Sequence, residues 1–139
     1  QKETDWKTGS PSAARMFLTN FRAAEAGEKY DVVILDPPAF TKSRQATKNA
    51  IKGYREINIK GLKLVKDGGY LATCSCSHFM TQELLAKTVR EAARSAHKRL
   101  RQVEFRTQSP DHPILWAADE SYYLKFIFQS LTKSKFFRK

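Results

Sequence analysis

Residues Tyr30–Phe40 read Y-D-V-V-I-L-D-P-P-A-F, and this stretch decides the fold of the chain. Its apolar run, Val32–Leu35, shows no polar alternation, which predicts a strand buried on both faces of a parallel sheet. The run stops at Asp36-Pro37-Pro38, because a proline has no backbone N–H to donate to a neighbouring strand. Asp36 is therefore expected at the carboxyl end of a central strand, where ligands bind in open α/β sheets.

The Asp36-Pro37-Pro38 tripeptide has two interpretations. The prolines stiffen the backbone beside a carboxylate and leave nearby carbonyls without local N–H partners, so this edge could hold the exocyclic amine of a nucleobase. The alternative is an ordinary turn with a capping aspartate. The tripeptide alone does not separate the two.

Hydrophobic periodicity on both sides of this strand predicts half of a doubly wound α/β sheet. The expected elements are, in chain order, a helix from Ser10 to Gly27, the Val32–Leu35 strand, a helix that runs to about Lys66 before Asp67-Gly68-Gly69, a strand over Tyr70–Cys74, a helix capped by Thr81 that runs to Ala96, and strands over Gln102–Arg106 and Ser121–Leu131. The last strand should present Tyr122, Leu124, Phe126 and Phe128 on one face. No helix fits between Pro113 and Ser121, so this strand should run antiparallel to its neighbours.

The domain organisation follows from the same pass along the chain. We expect a flexible polar leader over residues 1–9, one partial α/β domain over residues 10–132, and a basic tail over residues 133–139. No G-x-G occurs in the sequence, so the Gly-rich turn typical of a nucleotide-binding half-sheet is not visible.

Composition restricts the partner and the compartment. The chain has 139 residues, 41% of them hydrophobic, and a formal net charge of +11, which favours a polyanion partner, with RNA or DNA first and an acidic membrane surface second. No apolar stretch reaches the length of a membrane span, and no signal peptide is visible at the start. The only cysteines, Cys74 and Cys76, are too close together for a good disulfide and too few for a metal site. A cytoplasmic setting without a metal is the simplest interpretation.

A second candidate site lies in T-C-S-C-S-H, Thr73–His78. Adjacent parallel strands would bring Cys76 to the same sheet edge as Asp36. A thiolate that adds to C6 of a cytosine raises the electron density at C5, which can then attack a methyl donor, while an acid near N3 assists the addition. We interpret Cys76 as this nucleophile only together with Asp36. The alternative, a small buried residue at a strand end, is the interpretation we give to Cys74.

Several segments of the chain resemble a known family in order and in spacing. They read D-V-V-I-L-D-P-P-A-F, G-Y-R-E-I-N, D-G-G-Y-L-A-T-C-S-C-S-H-F-M, D-H-P and Y-Y-L-K, and they span about Glu28 to Phe126. The resemblance is to the large-subunit ribosomal RNA cytosine-5 methyltransferases, in which a PUA domain and a small β domain precede a class I, Rossmann-like catalytic domain. It implies S-adenosylmethionine as cofactor, Cys76 as nucleophile and Asp36 as the motif aspartate. The family's cofactor loop and first strands should lie upstream, so the chain resembles the C-terminal part of that domain.

The combined interpretation assigns roles to further residues around the two motifs. We expect Asp36 and Pro37 to contact the cofactor. The expected base pocket consists of Pro38, Phe40, Tyr54 and Asn58. We expect Lys42, Arg44 and Lys48 to contact ribosomal RNA.

Two other functions remain open from the sequence. An exocyclic-amine methyltransferase, acting on guanine or adenine, would use D-P-P and need no cysteine. A non-catalytic basic RNA-binding module built from half a Rossmann sheet would account for the charge without any chemistry. Because the family's first strands would pair beside it, the apolar Val32–Leu35 strand is expected to leave an open sheet edge through which the chain self-associates.

Overall fold

The computed structural model describes residues 27–40 and 47–132, which form one mixed four-stranded sheet with two long helices. The elements are β1 (Tyr30–Leu35), α1 (Thr47–Leu64), β2 (Val65–Ser75), α2 (Gln82–Ser95), β3 (Leu100–Arg106) and β4 (Lys125–Leu131), with a short 3-10 helix at Asp119–Ser121. The strands lie in the order β1-β2-β4-β3, with β1 and β2 parallel. The last strand, β4, is antiparallel to both β2 and β3, as the sequence predicted.

Both helices pack against the same face of the sheet. Tyr54 of α1 and Leu85 and Val89 of α2 form one buried cluster with Ile127 of β4. Each of these large side chains is at most 1% exposed, so each contributes roughly 1.5–3 kcal/mol of burial free energy. The buried faces of both helices therefore form the core, and they hold the carboxyl edge of the sheet in place.

The start of α2 follows its predicted cap. Thr81 has extended backbone angles and its Oγ1 accepts a 3.2 Å hydrogen bond from the N–H of Leu84. Glu83 lies in the first turn, where a carboxylate is favourable next to the positive end of the helix dipole. Just before the cap, the Met80 N–H donates to the Ser77 carbonyl at 3.1 Å, which ties the T-C-S-C-S-H segment to the helix.

The expectation that β1 is buried on both faces is wrong for the described residues. Leu35 is 4% exposed, whereas Val32 is 50% and Ile34 is 69% exposed. β1 is an outer strand that pairs only with β2 in the described sheet, and α1 covers only one of its faces. Alternate residues therefore differ in burial although the run is uniformly apolar.

The junction between α1 and β2 also differs from the expectation. The helix ends at Leu64 rather than near Lys66, and Asp67-Gly68-Gly69 belongs to β2. The pairing passes from Tyr30 opposite Val65 to Val32 opposite Tyr70, so β2 carries extra residues at this point. Only a glycine fits at position 69, because a Cβ there would lie 2.7 Å from the backbone oxygen of Asp31.

The last strand is shorter than predicted and is buried on its other face. β4 begins at Lys125, because Asp119–Ser121 forms a 3-10 turn and residues 122–124 are irregular. Lys125, Ile127, Gln129 and Leu131 are buried under the helices, while Phe126 and Phe128 are half-buried on the opposite face. On that face Phe128 stacks on Tyr70 with ring centroids 5.1 Å apart.

Three expectations fall outside the described residues. These are the leader over residues 1–9, the body of the first helix after Ser10, and the basic tail over residues 133–139. Within residues 27–40 and 47–132, neither helix combines the length and the apolar character needed to cross a bilayer.

Candidate active site

The two candidate catalytic residues follow neighbouring parallel strands. Leu35, the last residue of β1, pairs with Thr73 of β2, so Asp36 emerges beside the end of β2. Cys76 is the first residue after β2 and is an exposed free thiol. The predicted meeting of the two strand ends at one edge of the sheet is therefore confirmed. The chemical roles of Asp36 and Cys76 stay predictions.

The two cysteines have different surroundings. Cys74 is 8% exposed within β2, opposite Phe126 of β4. Burial raises the pKa of the Cys74 thiol to about 11, with smaller contributions from the negative charges of Asp36 and Cys76. A buried thiol that stays protonated is a poor nucleophile, whereas Cys76 is open to a substrate.

Tyr54 lies beneath this edge and connects α1 to the end of β2. Its side chain is fully buried, and its hydroxyl oxygen accepts a 2.9 Å hydrogen bond from Ser75 Oγ. Its ring packs edge-on against Phe40 at 4.8 Å between centroids. Burial raises the pKa of Tyr54, as do the charges of Cys76 and Asp36, while hydrogen bonds from Ser75 and the Phe40 backbone act in the opposite direction. The tyrosine therefore stays neutral. It supports the end of β2 through Ser75 and the segment after β1 through Phe40.

The other predicted base-pocket residues occupy different depths. Pro38 is exposed and Phe40 is 39% exposed, so both are available to a ligand. Asn58 is fully buried, its Nδ2 donates to the Tyr54 carbonyl at 2.8 Å, and its Oδ1 has no hydrogen-bond partner among the described residues. A direct contact from Asn58 to a base remains a prediction, and the observed contact is to the helix backbone.

The remaining assignments are less constrained by the structure. Pro37, predicted to contact the cofactor, is buried next to the exposed Asp36. Lys48 is exposed in the first turn of α1. Lys42 and Arg44, also predicted to contact RNA, lie outside the described residues.

Lys125 is a residue of this edge that the sequence interpretation missed. It pairs with Ser75 across β2 and β4 and is only 1% exposed. Its Nζ donates to the carbonyls of Ser77 at 2.9 Å and Tyr123 at 3.1 Å, and more weakly to that of Tyr122 at 3.5 Å. Burial lowers the pKa of Lys125, and the negative charge of Cys76 acts in the opposite direction. The sequence contained one signal of this burial: Lys125 shares the alternation of Ile127 and Leu131, which places all three on one face of the strand.

A cleft of about 510 Å³ opens beside Lys125, between the start of α2 and the loop that joins β3 to β4. Its lining residues come from both sides of the cleft and are His78, Thr81, Gln82, Glu83, Ile114, Leu115, Trp116, Asp119, Tyr122 and Lys125. His78 lies two positions after Cys76, so the cleft adjoins the segment that carries the candidate nucleophile. The sequence interpretation assigned no role to this loop.

Comparison with curated proteins gives a consistent set of relatives, although no family model matches the chain. The chain is 45% identical over 104 residues to a candidate ribosomal RNA large subunit methyltransferase from Methanocaldococcus jannaschii, covering 75% of this chain and 26% of that protein. It is 44% identical over 101 residues to ribosomal RNA large subunit methyltransferase I from Aeromonas salmonicida, covering 73% of this chain and 26% of that protein. The similarity is to large-subunit ribosomal RNA methyltransferases. The chain spans about a quarter of the length of these curated relatives.

Solved methyltransferase structures share the fold. A Streptococcus mutans protein described as a candidate S-adenosylmethionine-dependent methyltransferase superposes with a TM-score of 0.66 and 20% identity, over 81% of this chain and 28% of that one. A candidate methyltransferase solved in complex with SAH has the same TM-score of 0.66 with 19% identity, over 81% of this chain and 29% of that one. The predicted fold class, part of an α/β Rossmann-like sheet with an antiparallel last strand, is thereby confirmed.

Proposed function

We propose that this chain is part of an S-adenosylmethionine-dependent RNA methyltransferase that methylates C5 of a cytosine in large-subunit ribosomal RNA. The observation that carries the proposal is the exposed thiol of Cys76 beside Asp36 at the carboxyl edge of two adjacent parallel strands. The relatives named as ribosomal RNA large subunit methyltransferases support the substrate class. The net charge of +11 supports a nucleic-acid partner.

The edge offers hydrogen-bond acceptors to a cofactor. Asp36 is exposed directly after β1, and the backbone from Asp36 to Ala39 has no regular structure. The irregular backbone supplies carbonyl acceptors, and the carboxyl group of Asp36 supplies a further acceptor. Asp36 and Pro37 would therefore lie next to S-adenosylmethionine, which supplies an electrophilic methyl group when bound.

Cys76 and Asp36 have different roles at the cytosine ring. The Cys76 thiolate forms a bond to C6, and the electron pair of the C5–C6 double bond moves toward C5. Asp36, acting as an acid or hydrogen-bond donor near N3, stabilises the charge that develops in the ring. C5 would then take the methyl group from the sulfonium sulfur of the bound donor, which would leave as a neutral thioether. Loss of the C5 proton to water would restore the C5–C6 double bond, break the C6–sulfur bond and regenerate the Cys76 thiolate. Cys74 takes no part, because its thiol is buried and stays protonated.

Covalent trapping tests this assignment. RNA that contains 5-fluorocytosine cannot lose a proton from C5, so the adduct with Cys76 should accumulate and survive denaturing electrophoresis in the presence of S-adenosylmethionine. Cys76→Ala should form no adduct, while the matched variant Cys74→Ala should form it at the wild-type level. An adduct that persists in Cys76→Ala would contradict the proposal.

Methylation of an exocyclic amine is the second candidate function. The observation in its favour is the exposed Asp36, followed by two prolines that cannot donate backbone hydrogen bonds. This reaction needs no thiol, so a Cys74→Ala, Cys76→Ala double variant would keep full activity. Nucleoside analysis of the methylated RNA distinguishes 5-methylcytosine from N-methylated guanine or adenine.

A further inference from the structure

The loop between β3 and β4 presents three apolar side chains to solvent. Trp116 is 98%, Leu115 is 56% and Ile114 is 39% exposed. A large exposed indole is unusual on a soluble surface unless a partner covers it. The loop therefore carries a candidate contact that the two catalytic residues do not explain.

Hydrogen bonds hold the tip of this loop in one shape. The Ser121 hydroxyl accepts from the Leu115 N–H at 2.7 Å and donates to the Leu115 carbonyl at 3.3 Å. The Ala118 N–H donates to the same carbonyl at 3.0 Å. A loop whose backbone is already held loses little backbone entropy when it binds a partner, so Trp116 is well placed to serve as a stacking surface.

The position of the loop relates Trp116 to the candidate nucleophile. Trp116 and His78 line the same cleft, and His78 follows Cys76 by two positions. Lys125 lines the cleft as well, and it pairs with Ser75 immediately before Cys76. The cleft therefore lies next to the segment that carries Cys76.

The charges of the cleft favour a base over a phosphate. Glu83 and Asp119 both line it, and their carboxylates repel phosphate oxygens but accept hydrogen bonds from amino groups of bases. The ammonium of Lys125 is already bonded to backbone carbonyls. The volume of about 510 Å³ and the aromatic wall suit a planar ring.

We propose that this cleft holds an unpaired base next to the target cytosine and that the base stacks on Trp116. The proposal rests on the proposed function and adds the way in which the RNA is held. Stacking on an aromatic side chain tolerates any base because every base has a π-face, so the contact would serve to hold an extruded, single-stranded segment. The carboxylates add a preference for a base that carries an amino group.

Tryptophan fluorescence tests the contact directly. In a Trp6→Phe background Trp116 is the remaining tryptophan, and a single-stranded oligoribonucleotide that contains the target cytosine should quench its emission. Replacing Trp116 by alanine should weaken the binding of fluorescently labelled RNA by about fivefold to 150-fold, the usual range for one stacked base. Trp116→Phe should recover most of the affinity. The control Val103→Ala, which removes another exposed apolar side chain, 55% exposed on β3, should bind like the wild type.

An oligonucleotide with an abasic site next to the cytosine separates the outcomes. If Trp116 stacks on the flanking base, this RNA should bind the wild type as weakly as intact RNA binds Trp116→Ala. Tight RNA binding with unchanged Trp116 emission and no loss in Trp116→Ala would overturn the inference, and trapping at Cys76 would then still stand as support for the proposed function. An equal loss in Val103→Ala would also overturn it. Absence of any RNA binding would contradict both proposals.

Discussion

Iodoacetamide at pH 8 should distinguish the two cysteines, although they are only two positions apart. Burial raises the pKa of Cys74 from 9.0 to about 11, and this shift lowers its thiolate fraction about 100-fold at pH 8. Its side chain is also only 8% exposed, which restricts the approach of the reagent. We therefore expect Cys74 to react at least about 100-fold more slowly than it would without this shift, and the exposed Cys76 to take up the label first.

Single-cysteine variants allow the alkylation rate of each thiol to be measured separately. Cys74→Ser retains only Cys76, Cys76→Ser retains only Cys74, and mass spectrometry follows each alkylation over time. The rate at Cys74 should rise about tenfold per pH unit and level off near pH 11, while in urea the two variants should react alike. Because the folded-state pKa of Cys74 is raised, the stability gained from its protonated thiol is present below pH 9 and is lost as the pH rises toward 11. Rates at pH 8 within about threefold of each other in the folded protein would refute the reasoning.

Three further outcomes follow from the packing. Gly53→Ala and Gly61→Ala both gain about 1 kcal/mol of helix propensity, but a Cβ at Gly61 would lie 2.8 Å from Leu35 Cδ1, whereas at Gly53 the nearest atoms are 3.6 Å away. Urea denaturation should therefore show Gly61→Ala to be less stable than Gly53→Ala by about 1–3 kcal/mol, and equal stabilities would argue against a tight contact. Lys125→Met should lower the free energy of unfolding by about 1–3 kcal/mol, because the backbone carbonyls that Lys125 binds lose their donor. The desolvation cost of the ammonium, which methionine avoids, offsets part of this loss. An unchanged urea midpoint would contradict this prediction. Sedimentation at several concentrations should show self-association of the protein that Ile34→Lys reduces, because Ile34 is 69% exposed on the outer strand; a wild-type monomer at high concentration would rule this out.

Local signals in the sequence were sufficient for the elements that carry the candidate site. The apolar run before Asp36 predicted a strand, and the prolines after it predicted where that strand ends. Thr81 predicted the start of α2, which is where its side chain caps the helix. The distance between Pro113 and Ser121 predicted an antiparallel last strand. Each of these features depends on residues that are neighbours in the chain, so the sequence displays them directly.

Features that depend on distant residues could not be predicted in the same way. The burial of Lys125 depends on the Ser77 carbonyl, 48 positions earlier in the chain. The end of α1 at Leu64 depends on the pairing of Val65 with Tyr30 of β1. The exposure of Ile34 depends on which face of β1 is covered, and a uniformly apolar run carries no information about that.

The position of β4 between β2 and β3 has a consequence for the synthesis of this protein. Within the described sheet β3 pairs only with β4. During synthesis β3 therefore has no partner strand from the time it leaves the ribosome until β4 has been made. Domains generally fold as units as the chain is made, at about 5–20 residues per second, so this interval lasts seconds. Lys125, whose ammonium donates a hydrogen bond to the Ser77 carbonyl, lies on that same strand. A premature stop codon before Lys125 would therefore leave Asp36 and Cys76 in the product but remove β4, so that β3 would lack its partner strand and the Ser77 carbonyl would lose the donor Lys125.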